Sequence, residues 1–288
     1  MSYRMLVTTF KDDVKQFHMF CHTLVKNWKG EKDLIVCIGN NEDPAMYSAI
    51  TDQVFPPDWT IQIKESVHAY ADGYVEQQVN AVYYSVTSGA ENVIVWDCKD
   101  FILKPCDETE FVNMRGEHRI TYVFPNSKIT DADIDNKTSP RYNFSPIDLL
   151  DEPIDDVPLI NNIRPWIWNV PVLSRYWDHL NTRFGNYTTW ERYPAGCEIY
   201  GYFTYAMKDP ARTFEFNRQL NKIVFSGAYS YVTYENLVKD IEDFNSNTWC
   251  FVWKHSRRNE DPRYLDITKS VLKRYGIKQD VIDQVYGS

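Results

Sequence analysis

Apolar and polar positions along the first hundred residues spell out strands and helices in turn. Arg4-Met5-Leu6-Val7-Thr8-Thr9 reads as a first strand. A polar turn, Lys11-Asp12-Asp13, leads into Val14, Phe17, Phe20, Cys21 and Leu24. Spacings of three and four put these on one stripe of a helix, with Asp12 or Asp13 placed to cap it. Asn27-Trp28-Lys29-Gly30 ends that helix, and Asp33 to Ile38 is an apolar strand. The strand-helix-strand connection is long enough for a parallel crossover. A short helix follows from Asp43 to Ile50, with Pro44 at its first position. Trp59 to Ile63 alternates as a third strand. Asp72-Gly73 opens a second strong helix with Val75, Val79, Val82 and Val86 on one face, closed by Gly89. Asn92-Val93-Ile94-Val95-Trp96 is almost wholly apolar, the pattern of a strand buried on both faces.

The rest of the chain is patterned differently. Residues 126–165 carry few large apolar side chains, prolines at 140, 146, 153 and 158, and acids at 148, 151, 152, 155 and 156. A segment of that kind is an irregular, functional or flexible loop. Order returns at Arg164 to Leu173. Helices are expected near 174–184 and 196–207, strands near 222–225 and 248–253, and one last helix over 263–286. Its apolar members are Leu265, Ile267, Val271, Leu272 and Ile277. The expected class is α/β: a mixed, mainly parallel sheet flanked by helices. One large domain is expected over 1–288, with a ligand-binding half in 1–105 and a second half in 106–288.

Composition narrows the reading. The net charge of -9 argues against a general polyanion binder, so any nucleic-acid contact needs a local basic patch. Arg257, Arg258, Arg263, Lys269, Lys273 and Arg274 form such a stretch, which a solvated helix face explains equally well. Aromatics make up 15% of the chain, with 20 Tyr and 9 Trp, enough to build cores and to stack on sugars or bases. The six cysteines show no CxxC pair and no zinc spacing. The apolar stretch after Met1 is too short for a signal peptide, and no run has membrane-spanning length. These features together lead us to expect a cytoplasmic protein with reduced thiols.

The chemistry gathers at Asp97-Cys98-Lys99-Asp100, which the apolar strand delivers at its carboxyl end. Ligands of open α/β sheets bind there. Two carboxylates in that place can hold Mg²⁺ or Mn²⁺ and so grip a diphosphate. Lys99 competes with such an ion and can itself neutralise phosphate. A solvated ion pair in a polar turn is the plainer alternative.

These residues also carry a resemblance. Asp72-Gly73-Tyr74-Val75-Glu76-Gln77-Gln78, followed by Val93 to Asp100 and then Phe101-Ile102-Leu103-Lys104-Pro105, resembles a small bacterial and phage branch of the GT-A glycosyltransferases. In that branch a Gly-aromatic-x-x-Gln-Gln helix precedes a strand ending in Asp-x-Asp or Asp-x-Lys-Asn. Pro165-Trp166-Ile167-Trp168, Pro171-Val172-Leu173 and Cys197-Glu198-Ile199-Tyr200-Gly201 look like its second half. This sequence departs from the pattern in having Asp-Cys-Lys-Asp, Ala81 in place of a lysine, and Cys197 in place of a serine.

The resemblance implies a GT-A fold and a UDP-sugar donor. Thr8, Thr9 and Phe10, joined by Asp12, would line the nucleobase and ribose pocket. Gln77 and Gln78 would contact donor or acceptor hydroxyls. Asp97 would hold ribose or metal, with Lys99 and Asp100 at the diphosphate. Asp97, Asp100 and His255 are the candidate metal ligands. Glu198 is the candidate general base of an inverting transfer; in a retaining transfer it would only hold the sugar. Trp166, Trp168 and Tyr200 are the candidate acceptor contacts. Expected acceptors are 5-hydroxymethylcytosine in phage DNA, suggested by the Asn-, Asp-, Tyr- and Ile-rich, Gly-poor composition, or a surface glycan, which the net charge favours. The sugar would be a hexose or a pentose such as arabinose. A non-catalytic nucleotide-sugar-binding module on a decayed scaffold is the alternative of another class.

Overall fold

The computed structural model describes residues 1–121, 165–191, 193–194, 198–206, 208–209, 214–217, 223–226, 250–253 and 263–287. Its first part follows the apolar pattern closely. β1 (Tyr3–Thr8), α1 (Val14–Asn27), β2 (Asp33–Cys37), α2 (Pro44–Val54), β3 (Thr60–Lys64), α3 (Gly73–Val86) and β4 (Asn92–Asp97) succeed one another. The chain then makes β5 (Asp100–Ile102) and β6 (His118–Thr121). After the segment outside the described residues come β7 (Trp166–Asn169), α4 (Val170–Phe184) and α5 (Glu198–Ala206). β8 (Phe214–Asn217), β9 (Ile223–Ser226), β10 (Cys250–Trp253), α6 (Arg263–Arg274) and α7 (Gln279–Tyr286) complete the set.

Five strands form the main sheet in the order β3-β2-β1-β4-β7. The first four are parallel, and β7 runs antiparallel against β4. Alternation along the strands divides the core into two layers. Met5, Val7, Leu34, Val36, Ile94 and Trp96 face one side, where residues of α1, α6 and α7 cover them. Leu6, Ile35, Val93, Val95, Trp166 and Trp168 face the other, under α3, α4 and α5. Strands covered on both faces must be apolar at every position, which is why Val93 to Trp96 reads as an unbroken run. Each large side chain buried this way contributes roughly 1.5–3 kcal/mol. The expected α/β class, a mainly parallel sheet flanked by helices, is the architecture seen. No described helix is long and apolar enough to cross a membrane.

Three local expectations change. α4 starts at Val170 rather than near 174, because Asn169 caps it by accepting from the Val172 N–H at 3.3 Å and Pro171 sits in its first turn. The C-terminal segment is two helices. Gly276, at φ +78°, breaks it, and Ile277 nevertheless stays buried as the apolar periodicity requires. Asp13 stands at the N-cap of α1, yet its side chain makes no capping hydrogen bond.

Chain order reverses between β1 and β4. From β1 the chain builds outward through β2 and β3, then returns to add β4 on the other side. The carboxyl ends of β1 and β4 therefore flank a topological switch point, where such sheets open a crevice. A second, three-stranded sheet, β5-β10-β9, begins right after β4.

Candidate functional site

The two strands that flank the switch point end level with each other, with Thr8 opposite Asp97 in register. Past that point the chain turns tightly through Asp97-Cys98-Lys99-Asp100. The Asp97 N–H donates to Asp100 Oδ2 at 2.7 Å, and the Lys99 N–H donates to Asp97 Oδ1 at 3.1 Å. Asp100 is fully buried, so its carboxylate closes the turn from within.

Lys99 folds back under this turn. Its ammonium lies 2.7 Å from Asp97 Oδ1 and 3.0 Å from Asp13 Oδ2. The Asp13 side chain is 4% exposed, that of Lys99 10% and that of Asp97 20%, so Asp97 is the member that reaches toward solvent. Burial works against the charge on Lys99, but the carboxylates of Asp97 and Asp13 outweigh it and raise its pKa above the ordinary lysine value. Burial also pushes the Cys98 thiol well up, so it remains a neutral neighbour.

α3 reaches the same end of the sheet from the other side of Thr8. Gln77, half-buried, donates from Nε2 to Thr8 Oγ1 at 2.6 Å. Gln78 is buried, and its Oε1 accepts the main-chain N–H of Glu198 at 3.1 Å. Two neighbouring amides thus tie the end of β1 to the first residue of α5. Glu198 itself is 3% exposed.

The loop after β2 is braced by two acids that the sequence did not single out. Glu76 accepts from the Asn40 N–H at 2.7 Å, and burial raises its carboxyl pKa despite that bond. Glu42 accepts from the Lys11 N–H at 2.8 Å and from the Tyr47 hydroxyl. Gly39 lies against the half-buried ring of Phe10; a Cβ there would stand 2.8 Å from Phe10 Cδ1.

Of the expected site residues, the structure brings together Thr8, Gln77, Asp97, Lys99 and Asp100, and links Gln78 to Glu198. Thr9 is buried beside Thr8, and its N–H continues the pairing to Cys37 O at 2.9 Å. Phe10 is half-buried and Asp12 exposed at the start of the following loop. Trp166 and Trp168 are corrected from acceptor contacts to core. Trp168 is fully buried and Trp166 8% exposed, because positions two apart on β7 share one face under α4 and α5. Tyr200 lies within α5, but its side chain is outside the described residues, as is His255.

The metal expectation meets a geometric obstacle. Among the described residues no group of three His, Cys, Asp or Glu is placed to hold an ion. Asp100 points into the turn, and the space between the Asp13 and Asp97 carboxylates is taken by the Lys99 ammonium. These side chains do not fit a divalent cation. Asp13 was missed as a site residue because an acid just before a helix reads as a cap.

No protein-family model matches the chain, and no curated protein matches it by sequence. Among solved structures it is similar to mouse xyloside xylosyltransferase 1 in its apo form. That likeness has a TM-score of 0.47 at 11% identity, covering 89% of this chain and 99% of the other. At that level it carries no argument, and the fold rests on the strand order itself.

Proposed function

We propose that the chain is a glycosyltransferase that binds a nucleotide-sugar, a UDP-sugar by its sequence resemblance, in the crevice between β1 and β4. One observation carries the reading. Gln77 and Gln78, adjacent on α3, reach Thr8 beside Asp97 and the N–H of Glu198 respectively. Three sequence blocks far apart in the chain are thereby linked through α3 beside a switch point, and α/β sheets bind ligands at such points.

The roles follow from the chemistry of the groups. Asp97, a carboxylate that shares the Lys99 ammonium with Asp13, suits the hydroxyls of a ribose or sugar. Phe10 borders the space where a base and its ribose would lie. The acceptor hydroxyl attacks the anomeric carbon and the bond to the diphosphate oxygen breaks. Nucleoside diphosphate leaves, and the hydroxyl proton passes to a general base, for which Glu198 is the candidate. The acceptor is either a hydroxymethylated base in DNA or a glycan, the net charge of -9 favouring the glycan. A sugar-binding module without turnover is the second reading. The departure of Asp97-Cys98-Lys99-Asp100 from the Asp-x-Asp pattern favours it.

The test is a panel of UDP-sugars offered with hydroxymethylcytosine DNA, ordinary DNA and a set of glycans. UDP release is followed by chromatography, and products by mass spectrometry of nucleosides and glycans. Sugar on one acceptor class, with UDP released, is the expected result. UDP binding without turnover on any acceptor makes the chain a binding module, and no binding of any nucleotide-sugar removes the proposal.

A further inference from the structure

The ion cluster under the turn does something that the glycosyltransferase reading does not require. Three charged side chains lie mostly out of water at the carboxyl ends of the two strands that flank the switch point. Asp97 comes from the end of β4, Lys99 from the turn after it, and Asp13 from the first turn before α1. Burying charge is costly unless every partner is well placed. Here they are, at 2.7 Å and 3.0 Å from one ammonium. Asp13 gives up the capping bond its position offers in order to make this contact. Sulfur at Cys98 completes the surround, 3.8 Å from the ammonium.

From this geometry we infer that Lys99 is the resident cation of the site. Its ammonium occupies the position between the Asp13 and Asp97 carboxylates that a divalent ion would take, so a nucleoside diphosphate is bound without metal, with Asp13 as the positioning residue that fixes the ammonium. The inference rests on the donor reading above for its ligand. The cation position itself stands on the three side chains alone. A divalent ion entering here would meet a positive group a few ångströms away in surroundings that screen charge poorly. Lys99 offsets one of the two negative charges of Asp13 and Asp97, and without it the turn would present both to an incoming diphosphate. The fourth residue of the turn is itself an acid and supplies no positive charge; its Oδ2 accepts from the Asp97 N–H.

Two measurements on the unaltered chain test this. In the first, Mn²⁺ is titrated into the protein alone and followed by electron paramagnetic resonance. No stoichiometric binding, or binding that Asp97→Ala leaves unchanged, is expected. Stoichiometric binding that disappears in Asp97→Ala overturns the inference. In the second, UDP is titrated by calorimetry in EDTA and again with Mn²⁺. Equal affinity in both is expected, and binding that requires Mn²⁺ overturns the inference. Lys99→Met, with its fold checked by circular dichroism, should bind UDP about tenfold more weakly or worse in EDTA. Affinity equal to the unaltered chain overturns the role given to Lys99. Should Lys99→Met not fold, the two titrations decide by themselves. If UDP binds under neither condition, the donor reading falls, and the Mn²⁺ titration still decides what occupies the cation position.

Discussion

The two sides of the switch point, one ending in a lip of ions and the other in a lip of amides, are built from different chemistry. On the β4 side, Asp97, Lys99 and Asp13 are joined by ion pairs out of water. On the α3 side, Gln77 and Gln78 make neutral hydrogen bonds to Thr8 and to the main chain at Glu198. Buried charge pairs add little net stability, because desolvation offsets their attraction, but they punish the loss of one member severely. Neutral amide bonds contribute about 1 kcal/mol each and are cheap to rearrange. The ion lip is thus suited to hold one fixed geometry, and the amide lip to place a reacting group while tolerating small movement.

That contrast can be broken in several ways. The largest effect should fall on the amide lip. Glu198→Gln should cut transfer by about 10²–10⁴-fold through loss of the proton acceptor. UDP affinity should hold, since Gln78 bonds the main-chain N–H that the variant keeps; a parallel loss of affinity would show that Glu198 holds the donor instead. On the ion lip the effect moves to stability. Lys99→Met leaves a buried carboxylate without its counter-charge and should cost about 3–5 kcal/mol in denaturant unfolding. A loss below about 1 kcal/mol would mean that the cluster behaves like a surface ion pair. Gln77→Ala should cost only about 0.5–1.5 kcal/mol, the scale of one hydrogen bond, and unfolding curves would read it directly.

A separate effect distinguishes the ion lip from another source of acid sensitivity. On α1, His18 and His22 stack with ring centroids 5.0 Å apart. Burial, and then the charge of His18, lowers the pKa of His22 from 6.5 to about 4. The folded chain therefore takes up this proton later than the unfolded chain as pH falls. The stability tied to His22 is complete above the unfolded value and is lost progressively between 6.5 and about 4. His22→Gln should flatten the pH dependence of Tm across that window. An unchanged slope would assign the acid loss to carboxylates, those of the ion lip among them.

Local pattern made part of this site legible. Val93 to Trp96 marks a strand buried on both faces, so Asp97 to Asp100 had to lie at its carboxyl end. The Gln77-Gln78 pair and Glu198 were visible as motif residues, though not the bond between them. What local pattern does not carry is contact across distance. Asp13 and Lys99 are 86 positions apart, and an acid before a helix has an ordinary local explanation. Trp166 and Trp168 misled because aromatic residues suggest stacking surfaces. Their spacing of two, with Ile167 in the opposite core layer, is the strand signal that places both inside. Over 263–286 the apolar rhythm runs through Gly276 without a gap, so periodicity alone joined two helices into one.

The turn also acts as a coupling of fixed length between two sheets. β4 is locked to β1 through Thr8 and Asp97, and β5 to β10 through Phe101 and Phe251, with only Cys98 and Lys99 between the two strands. Replacing this four-residue turn with a three-residue Asp-x-Asp would slide β5 one step against its partner. A one-step slide exchanges the two faces of a strand, and because Asp100, Phe101 and Ile102 are all buried, Phe101 would be pressed into a space fitted to a neighbour and Asp100 or its substitute turned the other way. An engineer who wanted the shorter motif in this scaffold would have to restore the missing residue nearby, or redesign the sheet that hangs from it.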